Sequence, residues 1–520
     1  MRILIADAVS ANAAAVLREA GLEVDELPTI SPNDLCQKIS RYDGMIIRSR
    51  TKIDAMVLKL AERLKIIGRA GVGVDNIDVE AATKKNILVC NAPRGNENAV
   101  AEHTIGLMFA LLRRIPFADS KLKNGHWLKS SLVGRELCGK KVGIIGCGRI
   151  GRLVAQRLKN FGVDLLGYDV VPVLEGGIRR VDLDTLFQES DVITVHVSLT
   201  AVTARLINAE TIQKMRPSAF LINTSRGGVV DEEALLRHLA DGRLAGAALD
   251  VFEEEPLCKT RCDTIKILQD RGVNIIVTPH VAGQTEEAEE RIGENIVQTL
   301  ILYLKEGIIR DAVNAPYVET ERFRHLDPYR LLAKRLTGFL RQFCGVGDGI
   351  ENYFEGDFTA EERGVLERIV LRDTLEVGYV NAALAAEERG FFCHSFVKEE
   401  KQKKIGLRFI RGSHAVEAVG RVDEGVPLLV SVNGYVVGGT PLGGQLLVFI
   451  NEDVPGVFAK VLGVLAGQNL NISRMQSGNN PTTNQACAVV SINRGELSPE
   501  VIAQIGSLPE IKLVRKISLP

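Results

Sequence analysis

The sequence lacks any long apolar run and carries almost no net charge. No stretch approaches the about 20 uninterrupted apolar residues that a membrane-spanning helix needs. The 64 basic and 65 acidic side chains nearly cancel, so the chain has no long-range field that would attract nucleic acid or an anionic membrane. These absences favour a soluble, cytoplasmic protein whose partner is a small molecule.

Paired cysteines are lacking as well. The nine cysteines are odd in number and scattered singly, which is the usage of reduced thiols rather than of a disulfide framework. Only Cys258 and Cys262 lie close together, and no His or further Cys stands beside them. The sequence therefore predicts no metal site and leaves a redox role for this pair open.

The length and the hydrophobic pattern predict several domains, because single cores stop growing at about 250–300 residues. Over residues 2–91, and again over 142–278, short β-branched runs alternate with helical patterns, which is typical of a parallel sheet with crossover helices. The glycine-rich run 438–444 indicates a linker. After it, residues 445–520 read as strand, helix, strand, strand, helix, strand. The fold class is therefore α/β, with α+β elements in the C-terminal third.

A glycine motif of the form Gly-x-Gly-x-x-Gly lies between a predicted strand and a predicted helix. Its glycines are Gly146, Gly148 and Gly151. They allow a tight turn, a close approach of backbone to a pyrophosphate, and close packing of helix and strand. Asp169 ends the next predicted strand, where a carboxylate accepts hydrogen bonds from ribose hydroxyls and repels a 2′-phosphate. NAD is thus favoured over NADP, although Arg179 and Arg180 keep NADP open.

Three residues suited to dehydrogenation follow later strands. Arg226 comes after a hydrophobic strand, and its rigid fork can bind the carboxylate of a hydroxy acid. His280 follows another strand and is a natural proton carrier near neutral pH. Glu255 could pair with the histidine and fix its tautomer. Each residue alone is more often structural, but all three behind a nucleotide motif indicate a hydroxy-acid dehydrogenase.

With these motifs, residues 1–312 resemble the D-isomer-specific 2-hydroxyacid dehydrogenase family. The resemblance implies that Arg226 orients the substrate, that Glu255 couples to the histidine, and that His280 acts as acid and base. It implies a Rossmann cofactor domain inserted into a flavodoxin-like substrate domain. The cofactor-binding residues it implies are Gly146, Gly148, Arg149, Ile150, Gly151, Asp169, Thr224, Ser225, Arg226, Asp250, His280 and Gly283.

Two further arginines indicate the class of substrate, because a phosphorylated hydroxy acid needs more positively charged side chains around it than a simple hydroxy acid does. Arg48 and Arg69 each stand beside a predicted strand end, in segments that resemble those of the long-form phosphoglycerate dehydrogenases. The resemblance implies that these arginines bind phosphate and that the backbone N–H groups of Val72 and Gly73 bind the carboxylate. The implied reaction is NAD-dependent oxidation of D-3-phosphoglycerate to 3-phosphohydroxypyruvate, which opens L-serine synthesis.

The C-terminal third resembles the regulatory part of the same long-form enzymes. Residues 446–520 are similar to an ACT domain, which implies that Asn451, Asp453 and Asn471 bind an amino-acid effector such as L-serine. The resemblance also implies a homotetramer or a dimer. The domains expected are a substrate domain (1–93 with 283–312), an NAD-binding domain (94–282), an intervening assembly domain (313–440) and an ACT domain (446–520).

Two other functions stay open at the level of sequence. A glyoxylate or hydroxypyruvate reductase, or another D-2-hydroxyacid dehydrogenase, would share the hydride chemistry but would have no phosphate for Arg48 and Arg69 to hold. An NAD-sensing, co-repressor-like binding protein would share the nucleotide motif. Such a protein would need no proton carrier at His280.

Overall fold

The chain forms two compact units in a computed structural model that describes residues 1–10, 12–171, 177–480 and 483–520. One unit joins Met1–Ala92 to Ile296–Pro520, and the other is Pro93–Asn295. Among the described residues, no helix is long and apolar enough to cross a bilayer.

The first unit begins with a parallel sheet covered by short helices. Its strands are β1 Arg2–Ile5, β2 Glu23–Glu26, β3 Gly44–Ile47, β4 Ile66–Arg69 and β5 Leu88–Cys90, and its helices are α1 Ala13–Glu19, α2 Pro32–Lys38, α3 Ala55–Leu60 and α4 Val79–Lys84. The strand order is β2-β1-β3-β4-β5, the flavodoxin order. Every residue of β3 and β5 is buried, as expected for a sheet packed on both faces.

The second unit is a doubly wound parallel sheet. Its elements are α5 Glu97–Arg113, α6 Ile115–Lys123, β6 Lys141–Ile145, α7 Arg149–Leu158, β7 Asp164–Tyr168, β8 Arg179–Arg180, α8 Leu183–Glu189, β9 Val192–Val195, α9 Ala209–Lys214, β10 Phe220–Asn223, α10 Glu232–Ala240, β11 Gly246–Leu249, α11 Lys259–Asp270 and β12 Ile275–Val277, and α12 Glu286–Ile301 follows. The order β12-β11-β10-β9-β6-β7-β8 reverses direction between β6 and β9. Ligands bind at such a switch point, outside the carboxyl ends of the strands.

The chain then builds two further sheets. The first contains β13 Gly349–Glu355, β14 Phe392–Lys398, β15 Lys404–Arg411, β16 His414–Asp423, β17 Val426–Val432 and β18 Tyr435–Pro441, with α13 Thr320–Cys344, α14 Ala360–Leu375 and α15 Ala382–Glu388. The second contains β19 Gly444–Glu452, β20 Asn471–Asn480, β21 Gln485–Arg494 and β22 Ile511–Leu519, with α16 Val457–Gly467 and α17 Pro499–Gly506. Their strand orders are β14-β13-β15-β16-β17-β18 and β20-β21-β19-β22.

The predicted α/β class, with a βαββαβ order at the C-terminus, is confirmed, but the predicted linker at 438–444 is wrong. Most of that run belongs to β18, which pairs with β17, and β19 begins at Gly444. Gly438 and Gly439 have φ values of 67° and 86°, which glycine adopts without steric cost. The two glycines therefore lie within a paired strand and do not form a flexible linker. The four-domain division stays a prediction.

The outer edge of β5 is covered by chain that arrives more than 200 residues later. Cys90 forms an antiparallel bridge with Ala312. The Asn314 side chain accepts a hydrogen bond from the backbone N–H of Val89 at 2.9 Å and donates to the carbonyl oxygen of Ile87 at 2.9 Å. Covering an edge strand in this way satisfies backbone groups that would otherwise pair with another chain.

Asn314→Ala should loosen this edge, because the buried N–H of Val89 would lose its acceptor. We expect a loss of about 1–3 kcal/mol in local stability, seen by hydrogen-exchange mass spectrometry as faster exchange in peptides covering residues 85–92. Val313→Ala is the matched control, since Val313 is exposed. Equal exchange in Asn314→Ala and wild type would contradict the assigned role of the amide.

Candidate active site

The nucleotide motif forms the turn between β6 and α7. Gly146 has a φ of 92°, and a Cβ atom there would lie 2.6 Å from the carbonyl oxygen of His196. A Cβ on Gly151 would lie 2.1 Å from the carbonyl oxygen of Gly146. Both positions therefore require glycine. A Cβ on Gly148, by contrast, would meet nothing within 4 Å, so open space lies over the turn at the N-terminus of α7.

These residues fit NAD. The N–H groups at the start of the ten-residue helix α7 suit a pyrophosphate. Asp169 follows β7, and its carboxylate is held beside the turn by the backbone N–H groups of Cys147 at 2.8 Å and Val171 at 3.0 Å.

The sequence left NADP open as the cofactor because of Arg179 and Arg180. In the structure, Arg179 pairs with Glu189 at 2.8 Å. Of the other predicted contacts, Arg149 donates to the carbonyl oxygen of Pro93 at 3.1 Å, and Ile150 is half-buried.

Two groups near this turn are neutral at physiological pH. Burial lowers the pKa of His196 to about 4. Burial, and secondarily the charge of Asp169, raise the pKa of the Cys147 thiol to about 11. A thiol protonated at neutral pH is a poor nucleophile.

The turn that carries Arg226 is shaped by Asn223, a fully buried residue at the end of β10. Its side-chain oxygen accepts from the backbone N–H of Ser225 at 3.0 Å, and its amide donates to the carbonyl oxygen of Arg226 at 2.9 Å. Thr224 bonds Thr104 at 2.9 Å between their hydroxyls. The role of Asn223 was not predicted from the sequence, although an amide at a strand end is a known signal for such turns.

Two glycines allow close contacts in the loops that carry the predicted site residues. A Cβ on Gly227, next to Arg226, would lie 1.9 Å from the carbonyl oxygen of Phe252. A Cβ on Gly283 would lie 2.4 Å from the side-chain nitrogen of Asn96. The two glycines thus allow approaches that a side chain would block.

The structure brings the predicted Glu255 and His280 together. Glu255 Oε2 lies 2.7 Å from Nδ1 of His280, and Glu255 Oε1 accepts the backbone N–H of Phe252 at 2.9 Å. The histidine side chain is 50% exposed. Because Nδ1 is engaged, Nε2 is the ring nitrogen left to face a substrate.

The loop that carries His280 is anchored by Asp250, which is fully buried after β11. The groups that donate to its carboxylate are the Thr278 hydroxyl at 2.6 Å, the Val281 N–H at 2.9 Å and the Ala282 N–H at 2.8 Å. The backbone N–H of His280 donates to the Asp250 carbonyl oxygen at 2.7 Å. A contact of Asp250 with the nicotinamide stays a prediction beside this anchoring.

In the other unit, Arg48 follows β3 and Arg69 ends β4. The backbone N–H of Arg48 donates to the buried carboxylate of Asp7 at 2.6 Å. Arg50 pairs with the same carboxylate at 2.8 Å. A Cβ on Gly71 would lie 1.6 Å from Nη1 of Arg69, so the guanidinium lies over the loop that continues to Val72 and Gly73. Arg50 is therefore a structural partner of the loop that holds Arg48.

The predicted effector residues lie at two ends of the last sheet. Asn451 is buried near the end of β19, and Asp453 accepts a hydrogen bond from the Asn479 amide at 2.7 Å. Asn471 begins β20 and bonds Asn493 at 2.7 Å. The strand register pairs Asn451 with Ala486 but Asn471 with Arg494. Within one chain, Asn471 is therefore not brought beside Asp453.

Comparison with known proteins identifies the family. Residues 105–282 match the model of the D-isomer specific 2-hydroxyacid dehydrogenase, NAD binding domain. The chain is 36% identical to D-3-phosphoglycerate dehydrogenase of Methanocaldococcus jannaschii and 32% identical to that of Bacillus subtilis, each over 100% of both chains. A crystal structure of Aquifex aeolicus D-lactate dehydrogenase with NAD and lactic acid is 32% identical, with a TM-score of 0.52 over 59% of this chain and 96% of that one.

These matches confirm the expected NAD cofactor and the expected oxidoreductase class. The relatives extend through the C-terminal third as well as the cofactor domain. The chain therefore belongs to the D-3-phosphoglycerate dehydrogenases, within the D-isomer specific 2-hydroxyacid dehydrogenase family.

Proposed function

We propose that this chain catalyses the NAD-dependent oxidation of D-3-phosphoglycerate to 3-phosphohydroxypyruvate, the first step of L-serine synthesis, in the cytoplasm. The observation that carries the proposal is the 2.7 Å pair of Glu255 and His280, held at the carboxyl edge of a sheet with a dinucleotide turn. The full-length relatives favour this substrate over glyoxylate or hydroxypyruvate. A pure NAD-sensing protein would have no use for the pair.

The proton chemistry follows from the orientation of the ring. Nε2 of His280 accepts the proton of the substrate hydroxyl, while Glu255 at Nδ1 stabilises the imidazolium that forms. When bound, NAD supplies the acceptor for the hydride. Arg226 orients the substrate, because its rigid fork can bind a carboxylate oxygen and polarise the neighbouring carbonyl.

We also assign the substrate phosphate to Arg48 and Arg69, and the carboxylate to the backbone N–H groups of Val72 and Gly73. The support is local: both arginines stand at carboxyl ends of β3 and β4, and Asp7 fixes the backbone of Arg48. Of the arginines at these strand ends, Arg50 is not assigned, because its guanidinium pairs with Asp7.

The βαββαβ region is proposed to act as an ACT domain that binds an amino-acid effector such as L-serine in a homotetramer or a dimer. Asn451 and Asp453 lie at one end of its sheet and Asn471 at the other. An effector that touches both sets therefore needs two copies of the sheet side by side, which favours an oligomer.

His280→Ala should lower kcat for NADH formation from D-3-phosphoglycerate by about 10²–10⁴, because the proton acceptor is removed. Absorbance of NADH measures it, and His126→Ala, an exposed histidine, should keep the wild-type rate. Wild-type turnover of glyoxylate or hydroxypyruvate alone would refute the substrate. NAD binding without any turnover would refute the enzyme assignment.

Arg48→Ala and Arg69→Ala should each raise KM for D-3-phosphoglycerate by about 10- to 100-fold, which corresponds to the loss of a charge-assisted hydrogen bond of about 1.5–3 kcal/mol. KM for unphosphorylated hydroxypyruvate should stay near the wild-type value. The control is Arg63→Ala, whose guanidinium pairs with Asp43 at 3.1 Å. Equal effects on both substrates would remove the phosphate assignment.

Asp453→Ala should weaken inhibition by L-serine at least about tenfold, because the carboxylate that meets the ammonium group of the effector is lost. A serine titration of NADH formation measures this effect. Asp423→Ala, on another sheet, should respond as the wild type does. A wild type that ignores serine, or an Asp453→Ala variant with unchanged inhibition, would contradict the effector site.

A further inference from the structure

A buried carboxylate lies between the loops that carry Arg226 and Glu255. Glu232 is the first residue of α10, and its side chain is only 6% exposed. Its Oε1 accepts a hydrogen bond from the backbone N–H of Glu253. Its Oε2 lies 3.5 Å from Nε of Arg261. The Glu232 carboxylate therefore links the segment that follows β10 to the segment that follows β11.

Helix capping does not explain this side chain. Asp231 already caps α10 by accepting the backbone N–H of Ala234 at 2.9 Å, and Glu233 adds a second acid to the first turn. Burial raises the pKa of Glu232, although the Glu253 N–H and Arg261 favour its charged form. A carboxylate kept in such a place needs compensating partners, and the backbone of the Glu255 loop is one of them.

Two hydrogen-bonded backbone N–H groups connect Glu232 to Glu255 and, through it, to His280. Glu232 holds the N–H of Glu253, and the N–H of the preceding residue, Phe252, is held by Oε1 of Glu255. The other oxygen of Glu255 meets Nδ1 of His280. Two successive backbone N–H groups are therefore bound by two different carboxylates, which leaves this part of the loop little freedom to rotate.

We propose that Glu232 is a positioning residue for the dehydrogenation: it fixes the backbone of residues 252–253 so that Glu255 faces His280. The proposal rests on the proposed function. In this role Glu232 contacts neither substrate nor cofactor. Glu232 acts through Glu255, so the effects of substituting the two residues on kcat should be coupled.

Three variants separate the hydrogen bond from the charge. Glu232→Gln keeps an acceptor of the right length and should stay within about threefold of the wild-type kcat, whereas Glu232→Ala should lose about tenfold or more. Glu232→Asp keeps the charge but withdraws it by one methylene, so it should lose rate as the alanine variant does. Glu233→Ala is the matched control, because Glu233 is exposed and pairs along its own helix with Arg237 at 3.0 Å.

A double-mutant cycle with Glu255→Gln distinguishes positioning from general structure. In that background Glu232→Ala should change kcat by less than about twofold, since the group that it positions is already gone. Circular dichroism and a thermal transition establish folding, and Glu232→Asp replaces the alanine variant in the cycle if the latter does not fold.

The failure of this inference is distinct from failure of the proposed function. Full additivity in the cycle, or a rate for Glu232→Gln as low as for Glu232→Ala, would overturn the positioning role while wild-type turnover of D-3-phosphoglycerate stood. Absence of that turnover in the wild type would instead overturn the proposed function itself.

Discussion

The loop that carries His280 depends on the buried carboxylate of Asp250. A carboxylate with no exposure is tolerable only when hydrogen bonds replace its hydration, and here a hydroxyl and two backbone N–H groups do so. These bonds fix the loop over residues 278–282. They support a left-handed backbone at His280, with a φ of 54°, a conformation that non-glycine residues rarely adopt. The direction in which the imidazole points follows from this constraint.

A second constraint is the close approach of backbone segments. The turn after Arg226 touches the backbone at Phe252 through Gly227, and Glu232 and Glu255 hold the two N–H groups there. Carboxylate side chains thus hold the backbone N–H groups of neighbouring strand-end loops in place. Substitutions in this layer should act on geometry more than on charge.

The sequence predicted what depends on local pattern. The alternation of strands and helices, the glycine turn and the placing of Arg226, Glu255 and His280 after strands all follow from periodicity and from residue type. It did not predict the roles of Arg50 and Glu232, because each depends on a partner in another loop, Asp7 and Glu253 respectively. The glycines near residue 438 were misread, since composition cannot distinguish a bent strand from a linker when the pairing partner lies elsewhere.

The covered edge of β5 has a consequence for synthesis of the chain. Asn314 follows Val89 by 225 positions, and translation proceeds at roughly 5–20 residues per second, so this edge stays open for roughly 10–45 seconds while the second unit is being made. During that interval the first sheet presents an unpaired strand to its surroundings. The order of elements along the chain therefore sets an interval during synthesis in which the edge of β5 has no pairing partner from its own chain.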